Sequence, residues 1–109
     1  MAGRVGKRMF GPAQLTASAA TKYTVGANRR GIIRHIHFYN ADATARTVTC
    51  SIGTDAAGTR ILDQFSIASK QPYDHYCYHV LEATEILQAF ADVTLQVTMT
   101  VNGDEEVLA

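Results

Sequence analysis

The residues in this chain best equipped for chemistry are its four histidines, His35, His37, His75 and His79. Side chains on a strand alternate between faces, so His35 and His37, two apart, share one, as do His75 and His79, four apart. Two such pairs on adjacent strands could offer four imidazoles to zinc or another divalent ion. Their neighbours Tyr39, Tyr73 and Tyr76 instead suit a packed seam between subunits. The expectation is therefore no metal and no cofactor, with His35, His37, His75 and His79 as weak candidate ligands.

Other catalytic patterns are missing from the sequence. Ser51 and Ser66 sit on strand-like runs without a Gly-x-Ser-x-Gly elbow. Gly53 to Gly58 has no Lys-Ser/Thr after it and opens no helix, so it is not a phosphate-binding loop. Glu82 and Glu85 read as solvated turn residues. The His35-x-His37 pair is similar to the His-x-His of cupins, metal-dependent double-stranded β barrels. Where those carry a carboxylate a few residues on, this chain has Asn40 and Ala41. No enzymatic activity is expected. A carbohydrate-binding sandwich would use exposed aromatics; Trp is missing, and Tyr73, Tyr76 and Tyr78 are the available candidates.

The elements that position these residues are strands. Gly31–Asn40 alternates Ile32, Ile36 and Phe38 against Ile33, His35, His37 and Tyr39, so both of its faces are apolar or aromatic and both call for cover. Arg46–Ile52 sets Val48, Cys50 and Ile52 against an outer face of Thr47, Thr49 and Ser51. Tyr73–Leu81 puts Tyr76, Tyr78 and Val80 on one side and His75, Cys77, His79 and Leu81 on the other. Tyr23–Val25 and Arg60–Ile67 are weaker strands. Val93–Val101 is the strongest, with Val93, Leu95, Val97, Met99 and Val101 as an inner stripe, and Val107 and Leu108 can dock as a last short strand.

Leu81–Asp92 is a conflict between local and wider signals. Ala83, Ile86, Leu87 and Phe90 follow helical spacing. The surrounding rhythm of strands favours a turn over Glu82–Glu85 and a strand over Ile86–Ala91. The expected fold is all-β: a single β-sandwich or jelly-roll-like domain of seven to eight antiparallel strands over residues 13–109. Residues 1–12, with Arg4, Lys7 and Arg8 and no apolar periodicity, read as a flexible basic N-terminal arm.

At 109 residues the chain has the length of one domain. Its hydrophobic content of 47% against 18% charged fits a globular protein with few surface charges. No apolar run has the roughly 20 residues of a membrane span, and no apolar stretch follows the N-terminal basic residues as in a signal peptide. No membrane association is expected, and the compartment expected is a cytoplasm. Cys50 and Cys77 lie in strands and read as free thiols packing as small apolar groups. The net charge is zero, yet residues 1–46 carry eight Lys/Arg and one acid (+7), and residues 47–109 carry two Lys/Arg and nine acids (−7). These charges either cancel inside one fold or meet across a subunit contact.

The run from about Leu15 to Val101 resembles small virion proteins of tailed bacteriophages, of the head-decoration or minor tail type. The resemblance is carried by LTASAATKYTV, a glycine-bounded basic turn, IIRHIHFYN, TARTVTCSIGTDAAGTRI, a Tyr-rich strand and a closing LQVTMTV. The turn after the first strand has Gly26 where such proteins have Pro. The resemblance implies a β-sandwich that oligomerises on the particle, as decoration proteins do in trimers at threefold positions of a shell. It transfers no catalytic residue. On this basis the function expected is capsid decoration or cementing, with the major capsid protein or other virion proteins as partners. The location would be the virion, assembled in the host bacterial cytoplasm. A tail-, collar- or connector-associated sandwich is the alternative, and a metal- or carbohydrate-binding module the second. The expected interface comprises Arg4, Lys7, Arg8, Arg29, Arg30, His35, His37, Tyr39, Tyr76 and Tyr78. No specific nucleic acid is expected, since three arm charges alone would bind it weakly.

Overall fold

The computed structural model describes residues 3–108; positions 1, 2 and 109, at the ends of the expected arm and sandwich, lie outside them. The strands are β1 (Gly3–Gln14), β2 (Ala20–Thr24), β3 (Arg29–Asn40), β4 (Arg46–Ile52), β5 (Arg60–Ile67), β6 (Pro72–Leu81), β7 (Ile86–Ala91) and β8 (Val97–Val107). They form two four-stranded sheets, ordered β1-β8-β3-β6 and β2-β7-β4-β5. Every adjacent pair is antiparallel. The nesting is regular: β1 pairs with β8, β2 with β7, β3 with β6 and β4 with β5. That is one long hairpin rolled into two layers, the jelly-roll arrangement.

Alternation supplies the core. Ile36 and Phe38 of β3, Val48 and Cys50 of β4, Leu87 and Ala89 of β7 and Val97, Met99 and Val101 of β8 meet between the layers. Phe38 is fully buried, which is worth roughly 3 kcal/mol relative to solvent. Two glycines permit close approaches. A Cβ on Gly31 would come within 2.9 Å of the Tyr23 ring, and one on Gly103 would collide with the Ile32 carbonyl. Buried Asn40 ties loops together: its Nδ2 donates to the carbonyls of Thr44 and Ile67 at 2.9 and 3.0 Å, and its Oδ1 accepts from the Asp42 amide.

Several local expectations need correction. The basic segment expected as an arm runs, in its described part, as β1, an edge strand paired with β8 from Gly3 onward. Ile33 belongs to the core rather than to the histidine face, because a register shift between Ile33 and His35 moves it to the inner side. Leu95 is exposed and takes a positive φ of 64° in the loop before β8, so the inner stripe of that strand starts at Val97. β8 then continues without a break to Val107, absorbing the acidic run. Thr49 and Ser51 are buried, not solvated: Thr49 Oγ1 accepts from the Gln64 amide and Ser51 Oγ donates to Asp55. Asp55 takes a two-pronged pair from Arg60 at 3.0 and 3.1 Å, and Arg60 lies over the Phe90 ring. For Leu81–Asp92 the strand reading holds, with β7 at Ile86–Ala91.

The strands of the first sheet have 12, 12, 10 and 11 residues and those of the second 5, 8, 7 and 6. A twelve-residue strand reaches about 40 Å, so the long sheet sets the 49 Å length of the molecule. Its two edges, β1 and β6, carry very different side chains.

Candidate functional site

The β1 side of the long sheet is a ribbon of compensated charge. Consecutive residues of β8 point to opposite faces, and each acid finds bases on its own side. Glu106 pairs with Arg4 at 3.8 Å and Arg30 at 3.2 Å, and Arg30 also reaches Glu82 at 3.1 Å. Glu105 pairs with Lys7 and Arg29, both at 3.2 Å, and accepts a 2.8 Å hydrogen bond from Tyr23 Oη. Asp104 pairs with Arg34 at 3.1 Å. The Tyr23 bond, and then Lys7 and Arg29, hold the Glu105 carboxyl below its ordinary range. Burial, reinforced by Glu105, pushes the Tyr23 phenol up. Much of the opposite charge in the two halves of the sequence thus cancels inside one fold. Arg4, Lys7, Arg29 and Arg30 all make such pairs, and Arg8 lies opposite Asn102.

The other edge is built from β3 and β6. Register places His35 opposite Tyr76 and His37 opposite Asp74. His35 Nε2 and His37 Nδ1 converge on Asp74 Oδ1, at 2.8 and 2.6 Å. A carboxylate only accepts, so each of those ring nitrogens donates. The remaining His35 Nδ1 then accepts from Asn102 Nδ2 at 3.2 Å in the neutral tautomer. The bonds from His37 and His35 hold the Asp74 carboxyl below the usual range. Tyr76 stacks on His35, with centroids 4.7 Å apart, and Arg34 sits 5.8 Å from the Tyr78 ring centre. Tyr76 and Tyr78 are 76% and 58% exposed; Val80 further along β6 and Tyr39, on the same outer face opposite Pro72, are exposed too.

The inner face of β6 carries the second histidine pair. Phe65 of β5 stacks on Tyr73 at 4.2 Å, closing the two layers beside it. Next along β6 come His75, Cys77 and His79, all partly buried, with one ligand atom from each within 4.8 Å of the others. Burial, and then His79, lower the His75 pKa, while burial raises that of the Cys77 thiol. Cys50 is buried too, and its thiol is pushed up to about 12, first by desolvation and then by Cys77. Both thiols are free.

The idea of four imidazoles around one ion therefore fails on geometry. His35 and His37 face outward and His75 and His79 inward, so the sheet separates them. Two groups of three take its place: His35, His37 and Asp74 outside, and His75, Cys77 and His79 inside. Asp74, Asn102 and Cys77 were not singled out as site residues. Carrying the Tyr76–Tyr78–Val80 alternation back by two would have found Asp74. Asn102 needed the β3–β8 register. Of the expected interface, His35, His37, Tyr39, Tyr76 and Tyr78 lie together on the outer face. The five basic residues lie toward the β1 side and at the start of β3.

No protein-family model matches the chain, and no curated protein matches it. Solved structures do share its architecture. A chain of the acid-stable capsid of Helicobacter pylori bacteriophage KHP30 superposes with a TM-score of 0.60 at 6% identity, over 100% of this chain and 95% of that one. The fold is a jelly roll shared with viral coat proteins. Tobacco streak virus coat protein aligns at a TM-score of 0.55 and 8% identity, covering 97% of this chain and 85% of its own. A subunit of the disulfide-linked pili of Bacillus endospore appendages aligns at 0.53 and 12% identity, over 100% of this chain and 88% of that one.

Proposed function

We propose that this protein is a structural component of a tailed-bacteriophage virion, a decoration protein that binds the capsid shell and oligomerises there as a trimer. The observation that carries this reading is the outer face of β6. An edge strand presents Tyr76, Tyr78 and Val80 to solvent in one row, with Tyr39 exposed on the same outer face further along β3. Contiguous exposed aromatics of this kind mark protein contacts more than solvated surface. An edge strand also offers unpaired backbone groups that a neighbouring chain can cover. The resemblance to small phage virion proteins and the jelly roll shared with capsid and coat proteins support the same reading.

In this role the protein performs no reaction. Its contribution is mass action: contacts made only in the assembled state stabilise that state. The partners are other copies of the chain and the major capsid protein. Tyr39, Tyr76, Tyr78 and Val80 supply the apolar centre of the contact, with His35 and His37 held in place by Asp74. The compensated β1 ribbon then serves to hold the edge of the long sheet together within one chain.

Electron microscopy of the particle with a copy count tests the proposal. Copies in the hundreds, in density on the shell, are expected. A dozen or fewer at the neck or tail would move the protein to a collar or tail location, and none on any particle would end the virion reading.

A further inference from the structure

We infer that the inner face of β6 is a metal site, in which His75, Cys77 and His79 bind one zinc-class divalent ion. The three side chains sit at every second position of one strand on a common face, and one ligand atom from each lies within 4.8 Å of the other two. Around a tetrahedral zinc ion with bonds of about 2.0–2.3 Å, neighbouring ligand atoms stand roughly 3.3–3.7 Å apart. Small rotamer adjustments close that difference. Two imidazoles and a thiol are a donor set that suits zinc and disfavours magnesium or calcium.

The hydrogen bonds single out this trio over the one on the opposite face. His35, His37 and Asp74 already satisfy each other at 2.6 and 2.8 Å, closer than ligand atoms around one ion would sit. Among the described residues, His75, Cys77 and His79 make no hydrogen bond to one another. The Cys77 thiol donates only a long contact of 3.6 Å to the Ile33 carbonyl. His75 Nδ1 lies 3.3 Å from Tyr73 Oη, a contact that can fix the ring and leave Nε2 for an ion. On binding, the Cys77 thiol loses its proton to solvent and the thiolate takes one positive charge of the ion.

Three protein ligands leave a fourth position, and β6 is a sheet edge, so water or a group from outside can fill it. The ion would tie three successive inward residues of the strand whose outer face carries Tyr76 and Tyr78. This inference rests on the inner face alone and stands whether or not the virion reading does.

The test is metal binding by purified full-length protein stripped with chelator. Zinc is expected to bind one per chain and to raise the melting temperature. Cobalt substitution is expected to give a thiolate-to-cobalt charge-transfer band, which the outer trio, having no sulfur, cannot produce. Cys77→Ser and His79→Gln should lose the band and weaken zinc binding by at least about 100-fold, with unchanged circular dichroism before metal is added. His37→Gln and Asp74→Asn should keep both band and affinity. Failure to bind one zinc per chain, equal binding by Cys77→Ser, or loss of binding in the Asp74→Asn protein would each overturn the assignment.

Discussion

The two edges of the long sheet solve opposite problems. From the β1 edge across β8 to β3, Arg4, Lys7, Arg29, Arg30 and Arg34 meet Asp104, Glu105 and Glu106 in closed pairs within the chain, and Arg30 also reaches Glu82 just past β6. At the β6 edge, the outer face leaves Tyr76, Tyr78 and Val80 in water, and the inner face gathers three metal-type ligands with few partners. The first edge is paired within the chain, while the second leaves its aromatic side chains exposed. A strongly charged terminus can thus be satisfied inside one fold, and an aromatic edge of low charge left to solvent.

The largest expected effect separates the edges most sharply. Replacing Tyr76 and Tyr78 together by Glu should weaken self-association by at least about 30-fold, the scale of losing one central aromatic anchor. The melting temperature should stay within a few degrees of wild type, because neither ring is part of the core. A variant that associates normally would place the contact elsewhere.

At the other edge the ranking reverses. Glu105→Ala removes the acceptor shared by Tyr23, Lys7 and Arg29. Allowing for solvent screening, it should cost about 2 kcal/mol in denaturant unfolding, with association unaltered. Tyr23→Phe keeps the buried ring and loses only its hydroxyl bond, so about 1 kcal/mol is expected. If Glu105→Ala were neutral, the ribbon would be decoration on a sheet held by its core alone.

The smallest effect is a pH dependence. Burial holds the His75 pKa below its ordinary value near 6.5. Between the folded and unfolded values the unfolded chain binds more protons, so stability rises with pH across that window. It is fully present above about pH 6.5 and is lost as the pH falls through the lower, folded value. His75→Gln should flatten the dependence of unfolding free energy on pH just below about pH 6.5. An unchanged slope would mean that His75 titrates alike in both states.

Much of the frame was legible in the sequence because it rests on period-two alternation. The strand at Arg46–Ile52 matches its expected bounds, and those at Arg60–Ile67 and Ile86–Ala91 do as well. Alternation failed where the backbone departs from it. The register shift beside Arg34 sent Ile33 inward, and the left-handed turn at Leu95 broke the stripe before β8. The stretch Gly3–Arg8 has no apolar pattern because charge pairing and backbone ladders hold it to β8, while Met9 and Phe10 just beyond it reach the core. Single-chain propensity is blind to that. The histidine pairs were visible, but Ile36 opposite His75 and His37 opposite Asp74 are facts of register between distant strands.

In the proposed assembly, copies of this protein cover the outer face of β6. Sedimentation equilibrium over a concentration series, on wild type and on the Tyr76→Glu, Tyr78→Glu double variant, tests it most directly. A wild-type oligomer, a trimer, and a variant monomer of unchanged fold are expected. A wild-type protein that remains a monomer at the highest concentration reached would contradict it.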